Sequence, residues 1–369
     1  MDRPDRADRN GQGHQIFVDE LKRFAAGHPD ARVTAIAERA AAPLRVGVHG
    51  RRGVGRGTVA RALGGAAAAG ISVHPSARAA GKDVDVVVHV TAEVLKPEDA
   101  DAIAAARQPL VAVLNKADLA GSLSGRTGDE PIAAARTRCA ELGGLVGVPV
   151  EPMIGLLAVA ALEGLNETSW AALRTLAAEP GGAEALDDSF DGFLAAKNSV
   201  PAGERRHLLE TLDLFGTALA VAAARRGRTR AQVAALLRRM SGIDAVVARV
   251  TALGAEVRYQ RLLDAVAELE ALAVGQTGSW ERIGAFLSHD DTVVARMAAA
   301  VDLAEAAGLD VGRCDEPAEH LPRAARWQRY SRGPVSDLHR ACGADIARGS
   351  LRLWSQTCGS LPEPHAESR

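Results

Sequence analysis

The nine residues Leu110-Val-Ala-Val-Leu-Asn-Lys-Ala-Asp118 decide the reading of this chain. Five consecutive apolar residues suit a strand buried on both faces, as in a parallel sheet. The run leads at once into Asn115-Lys116-Ala117-Asp118, an N-K-x-D pattern. The chain has four Asn, five Lys and 24 Asp. Chance would produce such a match about 0.004 times in a random chain of this composition. The chemistry fits the pattern. A carboxylate at Asp118 accepts two hydrogen bonds from the imino and amino groups of guanine, and adenine would leave it partly unpaired. Asn115 can bond the other base edge while the Lys116 stem packs over the ring. The competing reading is a helix cap after a strand, with Asp118 or Asn115 as the cap.

Outward from this strand, apolar runs and helical patterns alternate. Val84–Val90 and Leu44–Val48 read as buried strands, and Leu145–Val150 as a weaker one. Helices are expected from the glycine turn at 50–57 to about Leu63, from Pro97 to about Arg107, from Pro131 to about Leu142, and over most of Gly155–Leu176. This alternation predicts an α/β fold with a parallel sheet. After Pro180-Gly181-Gly182 the strand signal disappears. Leu208, Leu212, Phe215 and Leu219 share one helical face, and Thr229-x-x-Gln232 is a capping box before a helix ending near Met240. Val246–Leu272, Thr292–Ala307 and a stripe through Leu338, Cys342, Ile346, Gly349 and Leu353 continue the helical pattern. Ahead of the sheet, Phe17, Leu21 and Phe24, then Val33, Ile36 and Ala40 behind an Asp30 cap, predict one or two short helices. The expected organisation is a tail over 1–13, an α/β domain over 14–180 that includes the N-terminal helices, a helical bundle over 185–358, and a tail over 359–369.

The first strand opens onto a second motif, Leu44-Arg-Val-Gly-Val-His-Gly50 followed by Arg51-Arg-Gly-Val-Gly55-Arg56-Gly57-Thr58. A strand, a glycine-rich turn and a helix together cradle phosphate, because backbone N–H groups and the positive helix end face the anion. Gly50 and Gly55 have P-loop spacing, but the usual Gly-Lys-Ser/Thr ending is replaced by Gly55-Arg56-Gly57. An ordinary tight strand-to-helix turn explains the motif equally well, since glycines are frequent here. The expected nucleotide-binding residues are Gly50, Gly53, Gly55, Arg56, Gly57 and Thr58 at the phosphate end, and Asn115, Lys116 and Asp118 at the base end.

Taken together, residues of about 30–180 resemble the P-loop GTPases of the translation-factor-related class, in its dynamin-like or Era-like branch. PLRVGVHGRRGVGRGTVARALGG (43–65), DVDVVVHVTAEVLKPEDADAI (83–103) and LVAVLNKADL (110–119) carry the resemblance. VPVEPMIG (148–155) falls where a Ser-Ala guanine loop would lie, without that motif. The resemblance implies a GTPase-like domain followed by a helical bundle, with GTP or GDP as ligand and a protein partner or a homo- or heterodimer. It also exposes departures. The P-loop Lys position is Arg56, whose planar fork is wider than an ammonium. The magnesium-binding Ser/Thr position is Gly57, which offers no oxygen. Thr58 comes one position late, turned about 100° around the helix. No D-x-x-G lies between Gly64 and Val90. Magnesium therefore lacks its expected anchors, and no catalytic residue or metal ligand is assigned. A GTP hydrolase of this kind would be very slow or inactive.

Composition limits the alternatives. The chain has 369 residues and a formal net charge of -2. With charge of both signs throughout, bulk charge does not point to nucleic acid or membrane. Apolar residues make up 47% and aromatics 3%, so the chain is globular and Ala-rich rather than disordered. Cys139, Cys314, Cys342 and Cys358 have no C-x-x-C spacing, which argues against a zinc ribbon or disulfide framework. The N-terminus reads as no signal peptide, and a soluble cytoplasmic protein is expected. The cluster Arg225, Arg226, Arg228, Arg230, Arg238 and Arg239 could meet RNA or anionic lipid, but a solvated helix corner is the favoured reading. Nucleic acid is not the expected partner. Amphipathic helices at 205–225 and 334–354 allow peripheral membrane contact, with bundle packing preferred. In Arg326-Trp327-Gln-Arg329-Tyr330-Ser-Arg332 an arginine packed over Trp327 is expected rather than stacking of nucleotides. His49 reads as a strand-end residue, and Asp187, Asp188 and Asp191 as a helix start. Gly121–Gly125 misses a hydrolase elbow because Leu123 replaces its serine.

Overall fold

A computed structural model describes residues 13–67, 70–75, 84–120, 131–179, 189–274, 279–312 and 316–358. The expected tails over 1–12 and 359–369 lie outside these residues. So do the 180–182 break, Gly121–Gly125, Asp187, Asp188 and Cys314, while Cys358 is described only as the end of a helix. The described chain forms two compact units. One holds the residues up to Leu44 and those from Thr251 onward, and the other is Arg45–Val250.

The division corrects the expected domain boundary near 180–185. Helices α1 (Gly13–Ala26) and α2 (Ala31–Ala40) belong to the first unit and not to the unit of the sheet. Phe17, Leu21, Val33 and Ile36 are buried in one apolar cluster with Tyr259, Leu262, Leu303 and Trp327. Conversely, Leu208, Leu212, Val233 and Leu237 share a cluster with Leu157, Leu173 and Leu176 of the sheet unit. Helical spacing shows which face of a helix is apolar, but not which element it buries against. Asp30 does cap α2, accepting from the Arg32 N–H.

Five strands form the sheet: β1 (Leu44–Gly50), β2 (Ile71–Pro75), β3 (Val86–Ala92), β4 (Leu110–Asn115) and β5 (Val150–Met153), in the order β2-β1-β3-β4-β5. β1 with β3, β3 with β4, and β4 with β5 all pair in parallel. Every residue of β4 is buried, as its unbroken apolar run requires. The expected strand at 145–150 falls elsewhere. Helix α5 (Pro131–Val146) runs to Val146, Gly147 turns the chain at φ 71°, and β5 begins at Val150. β5 is an edge strand, where Pro152 costs no inner ladder bond.

The remaining helices of this unit are α3 (Arg56–Ala66), α4 (Pro97–Ala104), α6 (Gly155–Glu163), α7 (Glu167–Ala178), α8 (Phe190–Ala195), α9 (Ala202–Arg225) and α10 (Arg230–Ser241), followed by the start of α11 (Ile243–Val274). The stretch 155–176 is two helices, because Gly164 at φ 84° ends the first and Asn166 caps the second. The capping box at Thr229 and Gln232 forms as expected. Among the described residues α9 is the one helix long and apolar enough to cross a membrane. Its Leu208, Leu212 and Val221 are instead buried in the apolar cluster of the unit. The other unit is helical among the described residues, with α12 (Ser279–Ser288), α13 (Asp290–Ala306), α14 (His320–Ser331) and α15 (Asp337–Cys358) joining α1, α2 and the rest of α11.

Candidate functional site

The site begins at the carboxyl end of β1. Gly50, Gly53 and Gly55 hold φ of 148°, 90° and 82°, conformations that L side chains rarely adopt. Two of them also serve close packing. A Cβ at Gly50 would collide with the Val90 carbonyl of β3, and one at Gly55 with the Asn115 amide. Around Gly53 and Gly57 no atom comes within 4 Å of a Cβ, so the turn opens to free space there. Gly55 caps α3 without a side chain. The backbone N–H groups of Arg56, Gly57 and Thr58 have no acceptor among the described residues. That is an unspent helix start of the kind that receives anions.

The two sequence motifs meet through one side chain. β3 and β4 register so that Ala92 stands beside Asn115, and Asn115 stands beside Met153 of β5. From this inner position the Asn115 Nδ2 donates to the Val54 carbonyl in the glycine turn at 2.8 Å. Its Oδ1 accepts from the Gly155 N–H at the start of α6 at 2.9 Å. Asn115 is 3% exposed, so both partners would be left unpaired without it. The amide therefore braces three segments together: the turn after β1, the end of β4 and the junction after β5. Lys116 follows at φ 58°, exposed.

The other expected side chains point elsewhere. The Arg56 Nη1 folds back and donates to the Gly50 carbonyl at 3.2 Å. Thr58 packs against Gly155. Asp118 is buried in a short 3-10 turn, Ala117–Ala120. Burial pushes its carboxyl above the usual carboxylate range, and Asp213 pushes the same way against its own backbone N–H and Lys116. Asp213 interrupts α9 at φ 60° and ψ −176°, its carboxylate accepting from the Leu214 N–H at 2.7 Å. Nothing in the local sequence marks that break.

A buried polar cluster, also absent from the sequence reading, anchors the turn from below. Asp99, in the first turn of α4, is 1% exposed. It accepts from the Arg51 Nε at 2.9 and 3.0 Å and from the Lys96 N–H at 3.1 Å. The His89 Nε2 lies 3.2 Å away, and Thr91 Oγ1 donates at 3.4 Å. Arg51 also reaches the Val94 carbonyl at 3.3 Å. Burial would raise the Asp99 pKa, but the Lys96 N–H, Arg51 and His89 outweigh it and hold the acid below its ordinary value. His49 and His89 are register partners, and both are buried. Burial lowers the pKa of each. An acid three residues into a helix that opens with Pro97 reads as ordinary helix-start chemistry, which hides this role.

The sheet order reverses between β1 and β3, and open α/β sheets bind ligands at that switch, outside the strand carboxyl ends. The glycine turn sits there. Past the ends of β3 and β4, a cavity of about 550 Å³ has Glu93, Leu114, Lys116, Leu119 and Thr137 in its wall, and none of the glycine-turn residues lines it. Glu93 and Lys116, the first residues beyond β3 and β4, both hold φ of 58°. Lys116 is thus the one base-end residue in this wall, and Asp118 is not part of it.

Among the other expected features, half of the arginine cluster is tied down. Arg225 donates to the Ala177 and Glu179 carbonyls, Arg230 pairs with Glu167 and Arg238 with Asp244. Arg326 lies over the buried Trp327 ring, 5.8 Å from its centroid. Asp191 falls in the first turn of α8, which Ser189 caps. Cys139 and Cys342 are buried free thiols. No family model matches this chain, and no curated protein matches it.

Proposed function

We propose that this protein is a GTPase-like guanine-nucleotide binder with an eroded phosphate and magnesium grip, acting as a switch or scaffold with a partner rather than as a fast hydrolase. The observation that carries the reading is the Asn115 brace, which joins the glycine turn to the N-K-x-D segment on one sheet edge. The unspent N–H groups at the start of α3 supply an anion site without a lysine. Lys116 would contribute its stem, and Asp118 would select the base after turning out of its buried position. A magnesium ion does not fit the residues present. Gly57 has no donor oxygen and Thr58 packs on Gly155, so no hydrolytic step is assigned.

Thermal unfolding with GDP, GTP, ADP and ATP, with and without magnesium, tests the reading. A ligand that binds only the folded state stabilises it by mass action, by roughly 2.7 kcal/mol at a hundredfold excess over Kd, and so raises the midpoint. A guanine-selective rise that disappears in Asp118→Ala is the expected result. Magnesium-dependent GTP turnover at an ordinary GTPase rate would overturn the eroded grip, and no rise with any nucleotide would overturn nucleotide binding.

A nucleotide-independent scaffold on the same fold is the second reading. It is favoured by the inward hydrogen bond of Arg56 and by the burial of Asp118 beside Asp213. An RNA-associated factor is the weakest, since Arg225, Arg230 and Arg238 are engaged within the protein.

A further inference from the structure

A second cavity, of about 380 Å³, lies on the opposite side of β4 from the glycine turn, along the free edge of β5. Its size falls in the lower part of the range of small-ligand sites, about 300–1,000 Å³. Cys139 of α5 and Met153 and Ile154 at the end of β5 form an apolar floor, each of them buried. The far wall is the α10–α11 junction, fastened to the strand by the Ile154 N–H donating to the Ser241 carbonyl at 2.8 Å. Gly242, at φ 75°, lets that junction approach, because a Cβ there would strike the Pro152 carbonyl.

The charge at this cavity is one-sided. Among the described residues the one acidic side chain lining it, Glu151, pairs with Arg249 at 3.5 Å. Arg136 of α5 and Arg239 of α10 also line it, and neither has a hydrogen-bond or ion-pair partner among the described residues. The Cys139 thiol is pushed up to about 12, chiefly by burial, so it stays neutral and adds no negative charge.

We propose that this cavity binds a small amphipathic anion, its apolar body on the Cys139–Met153 floor and its carboxylate or phosphate between Arg136 and Arg239. The two arginines come from helices on opposite walls, which suits one anionic head at the mouth of an apolar slot. The inference does not rest on the nucleotide reading, because none of the residues expected to hold nucleotide lines this cavity, although Ala117, between Lys116 and Asp118, does.

The test is a fluorescence titration of the full chain with anilinonaphthalene sulfonate, followed by displacement with octanoate, octyl phosphate or octanol. Saturable binding at one site is expected. Octanoate and octyl phosphate should displace the probe, the stronger of the two identifying the head group, and octanol should be about tenfold weaker. The double variant Arg136→Glu and Arg239→Glu should weaken probe binding about tenfold. Ala245→Trp, which fills the cavity from α11, should abolish it. GDP should not compete. Absence of saturable binding, octanol as effective as octanoate, or binding unchanged in Ala245→Trp would each overturn the proposal.

Discussion

The glycine turn after β1 and the loop after β4 stand on the same sheet edge but differ in what they have kept. At the turn the backbone is in order: three glycines at positive φ, an unspent helix start, and open space over Gly53 and Gly57. Two of its three cations are turned inward, Arg56 to the Gly50 carbonyl and Arg51 to Asp99, while Arg52 is exposed. At the β4 loop the side chains survive, but Asn115 is committed to bracing and Asp118 is buried near Asp213. One region offers an open backbone with two of its three cations engaged, the other residues whose bonds hold the fold. On the proposed nucleotide reading, motif residues can thus serve the fold while groups that would face a ligand are engaged elsewhere.

The comparison breaks first if the turn is not held from below. Removing Asp99 leaves Arg51, His89 and the Lys96 N–H without their shared acceptor, and breaking a buried pair costs about 3–5 kcal/mol. Asp99→Ala should lose that much in urea unfolding at pH 7. Because the folded acid lies below its ordinary value, its contribution is full above about pH 4 and is lost as pH falls through the folded pKa. The variant should lack this acid-dependent loss. A cost below about 1 kcal/mol would show that the cluster does not anchor the turn.

Next in size is the brace. Asn115→Ala strands the Val54 carbonyl and the Gly155 N–H, each at about 1–2 kcal/mol, the lower part of the usual range, so a loss of about 2–4 kcal/mol is expected. Gly55→Ala should also destabilise, because its new Cβ meets the Asn115 amide in a backbone conformation that disfavours alanine. The double variant should cost less than the sum, since truncating Asn115 removes the collision. Strict additivity in this cycle would mean that turn and loop are not coupled.

Asp118 gives an effect of the opposite sign. A carboxyl whose folded pKa is raised stabilises fully only below its unfolded pKa, and stability falls as pH rises through the folded value. Asp118→Asn should therefore raise stability by about 1 kcal/mol at pH 7 and change little near pH 3. Asp213→Asn should give a smaller gain, since burial rather than Asp213 is the larger cause. Destabilisation by Asp118→Asn at pH 7 would place the acid in a favourable role that its surroundings do not suggest.

What the sequence made legible follows from the range of each signal. Parallel strands β1, β3 and β4 were readable because β-branched runs buried on both faces need no partner information. The glycine turn and Asn115 were readable because rare residue types stood at fixed spacing. β2 was missed because Ile71-Ser-Val-His-Pro75 is short and half exposed. The pairing of α1 and α2 with α11 and α13 was missed because an amphipathic stripe does not name its partner. The Asp99 cluster depends on the β1–β3 register and on α4 lying over it, contacts separated by up to 48 residues. The Asp213 break and the burial of Asp118 are tertiary in the same way.

The smallest effect separates the two explanations of Arg56. Its guanidinium donates one hydrogen bond to a carbonyl at the surface of the turn, so Arg56→Ala should change stability by no more than about 0.5–1 kcal/mol. The informative measurement is pyrophosphate affinity by calorimetry at low salt. If the guanidinium is locked onto Gly50, Arg56→Ala leaves pyrophosphate binding within about twofold. Arg56→Lys should then strengthen it severalfold, since an ammonium on a flexible stem does not reproduce the planar contact and is free to face the anion. If the arginine is itself the grip, Arg56→Ala weakens binding by about tenfold and Arg56→Lys brings no gain. The second pattern would erase the contrast between the two ends of the site, for the turn would then have kept its charge along with its geometry.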